Sequence, residues 1–168
     1  MEDLKVERLD HLGIISGVIK DLGIIEMIDD RIAPDDQEEI TTGEAVAGMI
    51  LNGLGFSQRP PSLTPQFFAN KPLERLFREG VGAEHFNRFK LGRSLDKVFT
   101  YGCDPLFSEL SLAACQQEGV DRRFRHVDTT TFSLHGDYVP ESDEQAILIT
   151  QGYSKDHRPD LKQVVLEL

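Results

Sequence analysis

The stretch Arg125-His126-Val127-Asp128-Thr129-Thr130-Thr131-Phe132-Ser133 marks the point where the sequence changes from a helical to an extended pattern. It is rich in β-branched residues with an interposed aromatic ring, and both residue types favour strands. We therefore predict a strand over residues 124–135.

An aspartate inside this predicted strand is unusual, because Asp is depleted from strands. A carboxylate buried in a sheet needs a partner, and a divalent metal ion is one solution. The alternative is that Asp128 caps a bulge or pairs with Arg125 or His126. The strand by itself leaves both interpretations open.

Two further strands are predicted downstream, at 146–150 and 163–168, with polar segments between them. A domain normally packs at least two layers around one core, and no helix follows these strands to supply the second layer. Residues 124–168 are also few for an independent α/β domain. We expect this second domain to be incomplete within the sequence.

Upstream of the strands, residues 1–123 have a mainly helical pattern. Apolar residues recur at helical spacing over 14–22 and 24–32, and Gly23 is the predicted break between them. Thr41 and Glu44 have the spacing of a capping box, which predicts a helix that begins there and ends near Gly53 or Gly55.

The rest of this half alternates between short helices and irregular segments. Prolines make 59–65 irregular, and short helices are predicted over 64–70 and 72–79. A helix is predicted over 87–99 with Ser94 as a candidate cap. Asp104-Pro105 predicts the start of a further helix, which Gly119 ends. The predicted fold is α+β, a helical domain over 1–123 and strands over 124–168.

The chain has 168 residues, 39% hydrophobic and 28% charged, which is ordinary for a globular protein. No apolar run approaches the roughly 20 residues that cross a bilayer. The acidic N-terminus lacks the pattern of a signal peptide. We expect a cytoplasmic protein.

Charge is unevenly distributed along the chain, whose net charge is −11. Residues 1–44 hold 13 acidic and 4 basic side chains, whereas residues 59–101 hold 8 basic and 4 acidic ones. A local basic surface can bind phosphate even on an acidic protein. The candidates for DNA contact in this band are Arg88, Lys90, Arg93 and Lys97. The alternative is that they belong to ordinary solvated helix faces.

Two segments resemble a known family. His126-Val127-Asp128-Thr129-Thr130-Thr131-Phe132 resembles the first catalytic strand of bacterial insertion-sequence DDE transposases, which have an RNase H-like catalytic domain. The run 151–163, Gln-Gly-Tyr-Ser-Lys-Asp-His-Arg-Pro-Asp-Leu-Lys-Gln, closely resembles a segment of one transposase subgroup. Residues 5–115 resemble the helical N-terminal domain of that subgroup.

The resemblance implies that Asp128 is the first Asp of the Asp-Asp-Glu triad, a catalytic residue and a ligand of Mg²⁺. It also implies that 124–168 holds the first three strands of an incomplete RNase H-like α/β domain. The family's second Asp and its Glu lie beyond the last residue here, and Asp137, Asp143, Asp156 and Asp160 do not occupy those positions. We therefore expect a truncated transposase that neither cleaves nor joins DNA alone.

A second candidate group for DNA contact lies in the transposase-like segment, at Lys155, His157, Arg158 and Lys162. These cations would contact the DNA backbone near the active site. The alternative is a polar hairpin tip in which Asp156 and Asp160 neutralise them.

Three functions remain open at this point. The chain is part of a transposase whose full-length relatives cut and join DNA at transposon ends. Alternatively, it is a non-catalytic module that binds DNA or dimerises, and that regulates the intact transposase. The third option is a remnant without function. The expected partners are transposon-end DNA, a second copy and the intact transposase, and no membrane.

Overall fold

We describe the fold from a computed structural model, which describes residues 6–57, 59–121, 129–134, 150–151, 158 and 160–167. The chain divides into two compact units, 1–120 and 121–168. The first unit is helical. None of the helices in the described ranges combines the length and apolar character that a bilayer crossing requires.

The first two helices follow the predicted apolar pattern. Helix α1 spans Leu12–Asp21 and α2 spans Ile24–Arg31. Gly23 lies between them with φ of 63°, a left-handed conformation that glycine adopts without a steric penalty. The predicted break at Gly23 is confirmed.

Helix α3 spans Thr42–Gly53 and begins at the predicted capping box. Thr41 Oγ1 accepts a hydrogen bond from the Glu44 amide at 3.0 Å, and Glu44 Oε2 accepts one from the Thr41 amide at 2.8 Å. Two amides that the helix leaves unpaired are thereby satisfied. Glu44 also binds Arg78 Nε at 2.6 Å, which ties the start of α3 to a later part of the chain.

Helices α2 and α3 approach each other closely at Gly43. A Cβ atom there would collide with the carbonyl oxygen of Ile25. The Gly43 amide donates to Asp29 Oδ1 at 2.7 Å. Burial raises the pKa of Asp29, and the hydrogen bonds from Thr41 and Gly43 offset that effect only in part.

Four phenylalanines form the centre of the first unit. Two short helices, α4 (Thr64–Phe68) and α5 (Leu73–Leu76), and a 3₁₀ turn at Ala83–Phe86 carry them or adjoin them. The ring of Phe68 lies 4.9, 6.0 and 4.6 Å from those of Phe67, Phe77 and Phe86. Edge and tilted contacts at these distances are favourable for aromatic rings. The helices α4 and α5 are shorter than the ranges predicted for them.

Two longer helices complete the first unit. Helix α6 spans Arg88–Tyr101, and its cap is Asn87, whose side chain accepts from the Lys90 amide at 3.0 Å. The prediction that Ser94 caps this helix is wrong, because Ser94 is buried in the helix interior. Helix α7 spans Cys103–Gln117, so it begins one residue before the predicted Asp104 cap. Gly102, with φ of 113°, precedes it.

The second unit contains a three-stranded antiparallel sheet in the order β1-β3-β2. Strand β1 spans Thr129–Leu134, β2 spans Thr150–Gln151 and β3 spans Lys162–Glu167. Thr129 pairs with Glu167, and Leu134 pairs with Lys162. The strands were expected at 124–135, 146–150 and 163–168, and parts of all three ranges lie outside the described residues.

Candidate nucleic-acid interface

Helix α6 carries four basic residues that are close in sequence but differ in solvent exposure. Arg88 and Arg93 are exposed, Lys97 is half-buried, and Lys90 is buried with 6% of its surface accessible. The four cations therefore have two different environments. Phe89 and Arg93 are four positions apart, a spacing that places both side chains on the same face of α6.

Lys90 and Lys97 converge on one carboxylate. Lys97 Nζ donates to Glu38 Oε1 at 2.9 Å, and Lys90 Nζ lies 3.0 Å from the same oxygen. The contact of Lys90 is an ion pair without the direction of a good hydrogen bond. Burial alone would raise the pKa of Glu38, but Lys97 and Lys90 outweigh it and lower that pKa to about 2. These two lysines share one carboxylate, so the cluster of three side chains keeps one positive charge.

Arg88 and Arg93 form no ion pair with any residue in the described ranges. The Arg88 guanidinium lies 4.6 Å from the ring centroid of Phe89, and Phe89 is 61% exposed. We call Arg88, Phe89 and Arg93 the α6 face. Its guanidinium groups are suited to phosphate oxygens, and its ring offers a surface for stacking.

The second group of candidates is only partly described. Lys155, His157 and Asp128 lie outside the described residues. Arg158 makes two contacts with Asp160, at 2.9 and 2.7 Å, and this hydrogen-bonded pair raises the pKa of Arg158. Lys162 begins β3, where it is paired with Leu134 and Gln151. Asp160 thus pairs with one of these cations, as the alternative expects, and Asp156 lies outside the described residues.

The sequence did not single out Arg8, His11 or Phe56, which lie together in the first unit. They line a cleft of about 330 Å³ with Arg59 and Lys71 from the basic band. The only sequence signal for Phe56 is a large apolar residue in the Gly-rich segment after α3. No pattern in the sequence points to Arg8 as a site residue, because its position in the cleft depends on tertiary packing.

A metal site would need several ligands close together. Within the described ranges no three His, Cys, Asp or Glu side chains are arranged to hold a metal ion. The expectation of Mg²⁺ therefore depends on Asp128, which lies in the part of the chain that is not described.

Comparison with known proteins places the helical part of the chain in a family. Residues 4–112 match the model of a family described as a domain of unknown function (DUF4277). No curated protein and no solved structure matches the chain. The match covers most of the helical unit and more than half of the sequence. The chain therefore belongs to the DUF4277 family.

Proposed function

We propose that this chain is part of an insertion-sequence DDE transposase and that its helical unit binds DNA through the α6 face. The resemblance of 126–132 and 151–163 to transposase segments supports the first half of the proposal. The observation that carries the second half is that Arg88 and Arg93 are exposed and form no ion pair with another described residue, in a chain of net charge −11.

An acidic protein can bind DNA only where its local charge is positive at short range. At physiological salt, exposed charges farther apart than roughly 8 Å are largely screened, so only nearby carboxylates oppose binding. Asp35, Glu38 and Glu39 line one cleft with Arg93, and Lys90 and Lys97 offset Glu38 there. Arg88 and Arg93 then act locally on one or two phosphates. The resulting affinity is low and falls steeply with salt, because binding releases counterions.

The chemistry proposed from the resemblance to DDE transposases is Mg²⁺-dependent cleavage and transfer of DNA strands, with Asp128 as one carboxylate of the triad. A single carboxylate does not hold two metal ions in the geometry that such a reaction needs. We therefore assign DNA binding to the residues of this chain, and the cutting reaction to an assembly that contains the full triad.

The alternative is a regulator that occupies DNA and excludes an intact transposase. It uses the same α6 face, so the same binding experiment applies to it. The two functions differ in vivo: a regulator lowers the transposition frequency of an intact element when it is expressed in trans, whereas a catalytic fragment restores transposition to an element that lacks this portion.

Fluorescence anisotropy with labelled duplex DNA at about 50 mM salt tests the binding function. The double variant Arg88→Gln/Arg93→Gln should bind at least about tenfold more weakly than wild type, since each lost phosphate contact is a charge-assisted one. Arg75→Gln is the matched control, because Arg75 is also exposed on a helix. Absence of binding by the wild type, or equal losses in both variants, would reject the proposal.

A further inference from the structure

A cleft with basic side chains lies at the start of α1, and its residues are remote in sequence from the α6 face. The segment before α1 contributes Arg8, Asp10 and His11, and the segment after α3 contributes Phe56 and Arg59. Its volume of about 330 Å³ is at the small end of the range for ligand-binding clefts. We call it the Arg8–Arg59 cleft.

The charges in this cleft do not cancel. Lys71 Nζ lies 2.6 Å from Asp10 Oδ2, and only 9% of the Lys71 side chain is exposed. Lys71, and also Arg8, lower the pKa of Asp10, so this one carboxylate of the cleft lining faces three cations. Arg8 and Arg59 are exposed, and neither forms an ion pair with a described residue. The cleft therefore carries an excess of two guanidinium charges.

An exposed aromatic ring lies beside these charges. Phe56 is 83% exposed, and its ring centroid lies 4.1 Å from that of His11 at an angle of 52°. His11 Nε2 in turn lies 2.7 Å from the carbonyl oxygen of Leu54, which holds the imidazole in place. Phe56 lines the same cleft as Arg8 and Arg59, so its ring offers a stacking surface beside the two guanidinium groups.

The loop that carries Phe56 and Arg59 is fixed at both ends. The Arg59 amide donates to Asn52 Oδ1 at 3.0 Å, and the Asn52 amide group donates to the Arg59 carbonyl oxygen. Asn52 is itself 7% exposed. Gly55 packs so closely on the ring of Phe67 that a Cβ atom would lie 2.6 Å from it. Gly55 and the backbone of Arg59 are thereby held in place, which lowers the entropic cost of binding through these residues.

We propose that the Arg8–Arg59 cleft binds a DNA phosphate next to an unpaired base, with Arg8 and Arg59 on the phosphate and Phe56 stacked on the base. It rests on the proposed function in that the ligand is DNA. Guanidinium groups match phosphate oxygens in geometry and charge. The ring requires an unpaired base, because neighbouring bases cover both faces of a base within a duplex.

The test compares a blunt duplex with the same duplex carrying a single-stranded tail of about six nucleotides. Wild-type protein should bind the tailed DNA at least about fivefold more tightly, which is the lower end of the effect of one stacked base. Phe56→Leu should abolish that preference and leave binding to the blunt duplex unchanged. Arg8→Gln and Arg59→Gln should each weaken binding of the tailed DNA, and Arg75→Gln should not.

The outcomes separate this inference from the proposed function. If Phe56→Leu keeps the preference for tailed DNA while Arg88→Gln/Arg93→Gln weakens binding of the blunt duplex, only the cleft assignment fails. If the wild type binds neither DNA, both fail. Saturable binding of free thymidine monophosphate in the cleft, with no preference for tailed DNA, would also overturn the assignment. Circular dichroism melts of each variant establish that the fold is retained.

Discussion

Lys90 Nζ lies 3.0 Å from Glu38 Oε1, and the lysine side chain is only 7% exposed. The two residues are 52 positions apart in the sequence, so their pairing requires the folded helical unit. The same carboxylate also pairs with Lys97. Helix α6 therefore carries two exposed arginines and two lysines that are held by Glu38. Structure and DNA binding are thus assigned to different cations of one helix.

Removal of the Glu38 charge should destabilise the helical unit. Glu38→Gln leaves Lys90 without its counter-charge in a buried position, and the loss of one partner of such a pair costs roughly 3 kcal/mol. The free energy of unfolding from urea titration measures it. Asp36→Asn is the control, because Asp36 is exposed and its substitution should change stability by less than about 0.5 kcal/mol. Equal effects of the two substitutions would contradict the structural role of Glu38.

The same carboxylate should make stability depend on pH. The pKa of Glu38 is about 2 in the folded protein and 4.5 as its ordinary value. A carboxyl group whose pKa is lowered by folding stabilises the fold fully at a pH above its pKa in the unfolded protein. This contribution is lost as the pH falls from 4.5 towards about 2. Urea titrations across this window should show the difference between wild type and Glu38→Gln shrinking. A difference that stays constant would contradict the assignment.

The close contact of α2 and α3 should not accept a larger residue at position 43. In Gly43→Ala the new methyl group meets the carbonyl oxygen of Ile25, a backbone atom that moves only with the helix. Such overpacking costs about 1–3 kcal/mol. Gly92→Ala is the control within α6, where the new Cβ meets no atom within 4 Å. It should raise stability by about 0.5–1 kcal/mol through helix propensity. Thermal melts of both variants measure these changes.

Asp128 should have no part in DNA affinity. Asp128→Asn should bind duplex DNA within about twofold of wild type in millimolar Mg²⁺, because a carboxylate is not a donor to phosphate. Wild-type protein should leave supercoiled plasmid intact in the same buffer, since it supplies one carboxylate of the proposed triad. Nicking that Asp128→Asn abolishes would contradict the assignment of this chain to binding alone.

Local sequence signals predicted the local features of the fold. The capping box of Thr41 and Glu44 and the break at Gly23 depend on residues within a few positions, and both are confirmed. The cap of α6 was misplaced, because Ser94 has the chemistry of a cap but its position on the buried face of α6 is set by packing. The start of α7 was misplaced by two residues, since Gly102 and not Asp104 is the cap.

The candidate site was less predictable than the fold. A run of basic residues does not reveal which of them meet a carboxylate, and Glu38 is remote from Lys90 and Lys97 in sequence. The Arg8–Arg59 cleft joins residues about 50 positions apart, and Phe56 resembles any apolar loop residue until its exposure is known. Charge in the sequence therefore indicated a region, and only tertiary structure separated its members.

The salt dependence of DNA affinity tests the division of α6 most directly. The slope of log affinity against log salt should fall by about two in Arg88→Gln/Arg93→Gln, because each phosphate contact contributes about one. The slope should fall by less than about one in Lys97→Met, because Lys97 Nζ lies 2.9 Å from Glu38 Oε1 and is held there. A slope that falls equally in both variants, or a wild type whose binding does not respond to salt, would contradict the account.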